Sequence, residues 1–171
     1  GSSITTAHTT TQGALKALGA TVTGVITGLE EVKADLDRAV VSIIQSVIRN
    51  TVAIGGDVAG AVNETGRSTV TGLTGTGVEV THSIETAVST AMKTASEAGA
   101  DVGEVAVGAV NGALKAVEVV GGSMTRTLTT SVNMAMDTAA TLGGDTTAKV
   151  RDALIASVHG AKEIIDRRGS K

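Results

Sequence analysis

Apolar residues recur along this chain with a period of eleven residues. When the sequence is written in rows of eleven from Thr11, the eighth column is apolar at every position except Thr51. The members expected to form a covered packing or lipid-facing surface are Leu29, Val40, Val62, Leu73, Ile84, Ala106, Val117, Leu128, Ala139 and Val150. Because eleven residues complete three helical turns with little drift, this column forms a straight stripe on one helix face. No alternation with a period of two competes with it, so the pattern predicts an all-α protein.

Glycine recurs with twice that period, at Gly55, Gly77, Gly99, Gly121 and Gly143. Four of these glycines are followed two residues later by Asp57, Asp101, Ser123 and Asp145. Glycine can end a helix in the left-handed conformation, and Asp or Ser can cap the next helix. The pattern therefore predicts separate helices of roughly 18–20 residues, each about 30 Å long. The alternative is one long helix with glycines on a close-packing seam, at a cost of up to about 1 kcal/mol each relative to Ala.

The repeat also predicts how the chain is organised. Residues 1–10 read as a cloning scar and a Thr-rich arm, residues 11–166 as the helical repeat domain, and residues 167–171 as a polar tail. The expected architecture is a multi-helix antiparallel bundle or a solenoid built from 22-residue repeats. Glycines crowd the stretch Gly66–Gly77, which is therefore the candidate for the weakest helix or a longer loop.

The composition limits the kind of core that the chain can form and the classes of partner that it can bind. The chain is 42% hydrophobic but has no Phe, Trp, Tyr, Pro or Cys, so its core must rely on many small contacts rather than aromatic anchors. The net charge is −3 and no basic tract is present, which argues against a nucleic-acid partner. Disulfides and Cys-ligated metals are excluded because there is no Cys.

No group of residues in the sequence forms a recognisable reactive site. His8, His82 and His159 are far apart, and the latter two share a column that is otherwise basic, as expected of a solvated face. The acidic residues Asp57 and Asp101 suit helix caps better than catalysis. We therefore expect no catalytic residue, no cofactor, no metal and no small-molecule substrate, and we expect that the protein is not an enzyme.

Two segments resemble the 11-residue repeats of perilipins and synucleins. They are residues 72–82, Gly-Leu-Thr-Gly-Thr-Gly-Val-Glu-Val-Thr-His, and residues 108–118, Gly-Ala-Val-Asn-Gly-Ala-Leu-Lys-Ala-Val-Glu. The resemblance is one of composition and period and covers about residues 11–165. It implies amphipathic helices that coat lipid droplets or vesicles. The perilipin and synuclein repeats are generally richer in Lys, and they are not punctuated by Gly-Gly-Asp as this chain is.

Two functions remain open on the sequence alone. The first is a structural or interaction protein whose helices pack on each other or on neighbouring subunits, so that its partner is another copy of itself. The second is a peripheral coat protein that covers a lipid-droplet or membrane surface with its apolar helix face. Both functions require that the side chains of the eighth column are covered. Other helices cover them in the first function, and lipid covers them in the second.

Overall fold

The structure is a computed structural model that describes residues 29–75 and 79–169, and these residues form seven α-helices and no strand. In chain order the helices are α1 (Leu29–Ala53), α2 (Val58–Gly75), α3 (Val80–Ala98), α4 (Val102–Val120), α5 (Met124–Leu142), α6 (Gly144–Ser157) and α7 (Ala161–Gly169). The predicted all-α class is confirmed. The chain does not continue as one helix through the glycines, so the seam alternative is wrong for this part of the chain. Residues 1–28, with the predicted arm, the first row of the repeat and most of the second, lie outside the described residues.

The helix ends follow from local chemistry at the glycines. Gly99 ends α3 with φ 78°, and Gly121 ends α4 with φ 81°, a left-handed conformation that glycine adopts without a steric penalty. Reversed hydrogen bonds close these ends, with the amide of Ala100 donating to the carbonyl of Ala95 at 2.8 Å. Because each connection is so short, successive helices must fold back against one another.

Among the described helices, contacts are confined to the next helix and the next but one along the chain. This pattern places α1, α3, α5 and α7 side by side in one layer, here called layer A, and α2, α4 and α6 in a second layer, layer B. Neighbours within a layer run parallel, because contacts advance together along both helices. In layer B, Ala59 and Asn63 of α2 face Gly108 and Gly112 of α4 in the same order.

The core lies between the two layers and consists of small and medium-sized side chains. Its largest fully buried members are Ile48, Leu73, Ile84, Met92 and Leu154. The helix α4 contacts α2, α3, α5 and α6, and α3 and α5 contact four helices each as well. The helix α4 buries four alanines, Ala106, Ala109, Ala113 and Ala116, which allow its neighbours to approach closely.

Three local features refine the predicted pattern. Residues Gly66 to Gly75 belong to the helix α2, which is one of the two outcomes expected for the stretch Gly66–Gly77, and residues 76–78 lie outside the described residues. The tail predicted to begin at residue 167 is helical as far as Gly169. A break that the glycine column does not mark separates α6 from α7 at residues 158–160, where Gly160 has φ 89°.

Candidate functional site

The eighth-column residues lie mostly inside the molecule. Leu29 is the first residue of α1, and Leu128 is partly buried. The others have at most 3% of their surface exposed: Val40, Val62, Leu73, Ile84, Ala106, Val117, Ala139 and Val150. Other helices of the same chain cover these side chains. The structure thus brings the stripes of successive helices together into one continuous core.

The predicted breaks and caps fall between the helices, with one exception. The Asp101 carboxylate accepts a hydrogen bond from the Glu104 amide at 3.2 Å, and the Ser123 hydroxyl accepts one from the Arg126 amide at 3.1 Å. Asp57, which precedes α2, accepts one from the Gly60 amide at 3.0 Å. The connections that precede these caps contain Gly55, Gly99 and Gly121, each with positive φ.

The exception is Asp145, which does not cap a helix. Gly143 is the N-cap of α6, with φ 128° and ψ 161°, and Asp145 lies in the first turn of that helix. The connection between α5 and α6 consists of Gly143 alone, so α6 has already begun before Asp145. A carboxylate in the first turn still interacts favourably with the helix dipole, but it makes no side-chain capping bond here.

The closest approach between helices involves the glycines of α4. A Cβ added to Gly108 would collide with the carbonyl oxygen of Ala59 in α2, and one added to Gly112 would lie 2.5 Å from the carbonyl oxygen of Asn63. On the opposite side of α4, a Cβ at Gly103 would lie 3.2 Å from the carbonyl oxygen of Lys149 in α6. Glycine is therefore required at the first two positions, where backbone meets backbone.

Layer A helices are linked in a different way, by polar contacts between side chains at the surface, of which the contact of His82 with Asp37 is an ion pair only when the histidine is protonated. His82 of α3 contacts both carboxylate oxygens of Asp37 in α1, at 2.8 and 2.9 Å. Further along the same two helices, Arg49 pairs with Glu97 at 2.9 Å. Arg168 of α7 joins α5 in the same manner. The side chains of His82, Arg49 and Glu97 are at least half exposed, so each of these contacts contributes little to stability.

An open cleft of about 280 Å³ lies where α2 and α4 begin. Its apolar wall includes Val58 and Val105, and its polar rim consists of the carboxylates of Asp57, Asp101 and Glu104. Two of these carboxylates are occupied in capping. The cleft therefore results mainly from the capping of α2 and α4 at their N-termini.

The described part of the chain offers neither a metal site nor a membrane-spanning helix. Among residues 29–75 and 79–169, no three His, Asp or Glu side chains converge in a way that could hold a metal ion. The helices described there also include none with the length and apolar character needed to cross a membrane.

Known proteins offer no guide to the site. The chain matches no family, no characterised protein and no solved structure.

Sequence reasoning did not find the glycine contacts of α4. Gly108 and Gly112 both belong to the repeat segment 108–118, and their spacing of four residues places both on one helix face. A pair of glycines four residues apart within an otherwise apolar helix was the available signal for a close helix contact. The side-chain pairs of layer A carried no such signal, since their partners are 31, 45 and 48 residues apart.

Proposed function

We propose that this chain is a non-enzymatic structural or interaction protein, an α-solenoid whose amphipathic repeats pack on each other and whose outer surfaces meet another copy or another protein. The observation that carries the proposal is the burial of the eighth column against neighbouring helices of the same chain. A coat protein needs this stripe for lipid, whereas here the stripe is already covered.

The restriction of contacts to near neighbours supports the solenoid form of the proposal. In a solenoid each repeat touches only adjacent repeats, and long outer faces remain available for partners. The spacing of helix starts supports a 22-residue unit, because Val58, Val80, Val102 and Met124 follow one another at that interval. The helices α6 and α7 are shorter and depart from this interval.

Two adjacent alanines of α5 test the proposal. Ala139 is fully buried and Ala140 is exposed, so Ala139→Leu adds volume inside the stack while Ala140→Leu adds it at the surface. We expect Ala139→Leu to lower the free energy of unfolding by about 1–3 kcal/mol through overpacking. We expect Ala140→Leu to change it by less than about 0.5 kcal/mol. Thermal unfolding followed by circular dichroism measures both.

Binding to anionic vesicles supplies the opposing outcome. If the stripe serves a lipid surface, Ala139→Leu inserts more apolar area and strengthens partitioning into vesicles, while leaving the free energy of unfolding unaffected. Helicity of the wild-type chain would then rise strongly when vesicles are added. A helix content that is already high without lipid, together with loss of stability in Ala139→Leu only, supports the solenoid.

A further inference from the structure

Asn111 is followed by Gly112, and this is the only Asn-Gly pair in the chain. The other asparagines, Asn50, Asn63 and Asn133, precede Thr, Glu and Met. Because glycine has no side chain to shield its backbone nitrogen, this nitrogen can attack the side-chain amide of a preceding asparagine. The asparagine that is chemically most prone to this attack therefore lies within the helix α4.

The attack is an intramolecular acyl transfer. The backbone nitrogen of Gly112 loses its proton and bonds to the Cγ atom of Asn111, the bond from Cγ to the side-chain nitrogen breaks, and ammonia leaves. Water then opens the cyclic succinimide at one of its two carbonyls. One opening leaves an ordinary aspartate at position 111, and the other leaves isoaspartate, whose main chain runs through the side-chain carbon.

Two features of the fold hold this pair away from the reaction. Within α4 the Gly112 amide is directed along the helix axis towards the carbonyl four residues earlier, and so away from the neighbouring side chain. In addition, α2 lies against Gly112, since a Cβ built there would be 2.5 Å from the carbonyl oxygen of Asn63 and 3.2 Å from the amide nitrogen of Arg67. The peptide bond between Asn111 and Gly112 can therefore rotate only when α4 unwinds locally and α2 moves away.

The side chain of Asn111 is itself only half-buried. Water can therefore reach the succinimide as soon as it forms. The protection of this residue comes from the helical backbone and from the contact with α2, rather than from burial of the reacting amide.

We propose that the Asn111-Gly112 pair is a deamidation site gated by the contact between α2 and α4, and that its reaction makes a transient separation of these helices permanent. Isoaspartate adds one atom to the main chain beside Gly112, where the carbonyl of Asn63 leaves no space for a shift. The aspartate product keeps the normal main chain, and its carboxylate lies four residues before Lys115, a favourable helical spacing. Only the isoaspartate product should prevent the two helices from packing again.

The rate of deamidation should report how often the two helices separate. Helix opening and closing are fast compared with deamidation, so the rate follows the equilibrium population of the open form. Gly108→Ala should increase this population, because the added methyl group meets the carbonyl oxygen of Ala59 in α2. The matched control is Ile165→Ala, which creates a cavity in α7, a helix that contacts neither α2 nor α4.

The test incubates the full chain in mildly alkaline buffer and follows the tryptic peptide of residues 94–115, in which Asn111 is the only asparagine. Mass spectrometry detects deamidation as a mass gain of about one dalton. Enzymatic methylation of isoaspartate then measures the share of that product. Circular dichroism on the same samples verifies that each variant is folded at the temperature of incubation.

We expect Asn111 to deamidate at least about tenfold more slowly in the folded wild-type chain than in the chain unfolded by urea. Gly108→Ala should raise the rate in the folded chain by about tenfold, and Ile165→Ala by less than about twofold. Equal rates in folded and unfolded wild type, no acceleration by Gly108→Ala, or equal acceleration by both substitutions would overturn gating by α2. The comparison of folded and unfolded wild type needs no variant, so it stands even if Gly108→Ala does not fold.

The variant Asn111→Asp separates the effect of the new charge from that of the added main-chain atom. We expect this variant to unfold at the wild-type temperature, whereas aged chains enriched in isoaspartate should unfold at least about 2–4 °C lower. If the two lose stability equally, the added atom is not what keeps the helices apart, and the second part of the proposal is wrong.

Discussion

At the scale of single residues, the free space beside a glycine decides whether a methyl group can be added there. Gly66 and Gly112 both lie inside helices and both are buried, so replacing either by Ala gives the same gain in helix propensity. Their surroundings differ. Nothing lies within 4 Å of a Cβ built at Gly66, which borders an apolar cavity of about 10 Å³, whereas the Cβ at Gly112 meets the carbonyl oxygen of Asn63.

Gly66→Ala should therefore raise the free energy of unfolding by about 0.5–1 kcal/mol, because propensity improves and no atom has to move. Gly112→Ala should lower it by about 1–3 kcal/mol, because α2 and α4 must separate to admit the methyl group. Urea denaturation followed by circular dichroism is the suitable measurement, since the chain has no Trp or Tyr for fluorescence. Destabilisation by both substitutions would show that the space at Gly66 is filled.

At the scale of helices, the capping side chains differ in what they contribute. Ser123 accepts a hydrogen bond from the Arg126 amide, whereas Glu79, at the N-cap of α3, makes no side-chain capping bond. Ser123→Ala should lower the free energy of unfolding by about 1 kcal/mol, because a helix amide loses its acceptor. Glu79→Ala should change it by only a few tenths of a kcal/mol.

The two variants are best compared by thermal unfolding under identical conditions. If Glu79→Ala proves as costly as Ser123→Ala, the loss does not come from capping and must arise from charge near the helix start. Ser123→Asp serves as a positive control, because Asp is as good a cap as Ser and adds a favourable charge at the N-terminus.

The sequence predicted these helix ends well where glycine and a capping residue occur together. The pairs that begin at Gly55, Gly99 and Gly121 all mark real ends, because left-handed glycine and a side-chain cap are local chemistry that does not depend on the rest of the fold. The same rule wrongly predicts that Asp145 caps a helix, because the sequence does not show that the connection between α5 and α6 is a single residue long. It also missed the break at Gly160, which lies outside the glycine column and against the side chain of Leu128.

The choice of partner helices could not be predicted in the same way. The eleven-residue period says which face of each helix is covered, but every stripe has nearly the same composition, so it does not say which helix covers which. Parallel contacts between α1 and α3, or between α2 and α4, depend on how side-chain volumes fit across helices some 45 residues apart. Only the pair Gly108 and Gly112 gave a local indication of such a contact.

At the scale of the whole molecule, stability should vary from the middle of the stack to its end. The helices α3, α4 and α5 each contact four other helices, whereas α7 contacts only α5 and α6. Amide hydrogen exchange should therefore be slower in these three helices than in α7, because local opening costs less where fewer contacts are lost. Mass spectrometry of proteolytic fragments after exchange resolves these helices.

A single substitution tests whether this gradient reflects near-neighbour coupling. Ile165→Ala removes buried volume from α7 and should speed exchange there, while exchange in α2 stays the same because no contact links α2 to α7. Equal acceleration in both helices would mean that the chain unfolds only as one cooperative unit.

The restriction of contacts to two helices in either direction has a consequence for how such a chain can change in length. Duplication of a segment that encodes two helices adds one member to each layer and leaves every existing contact intact, apart from those at the junction. Duplication of a single helix would instead shift all later helices to the opposite layer and place glycine-free faces where backbones now touch. Length variants that arise by gene duplication should therefore differ by even numbers of helices.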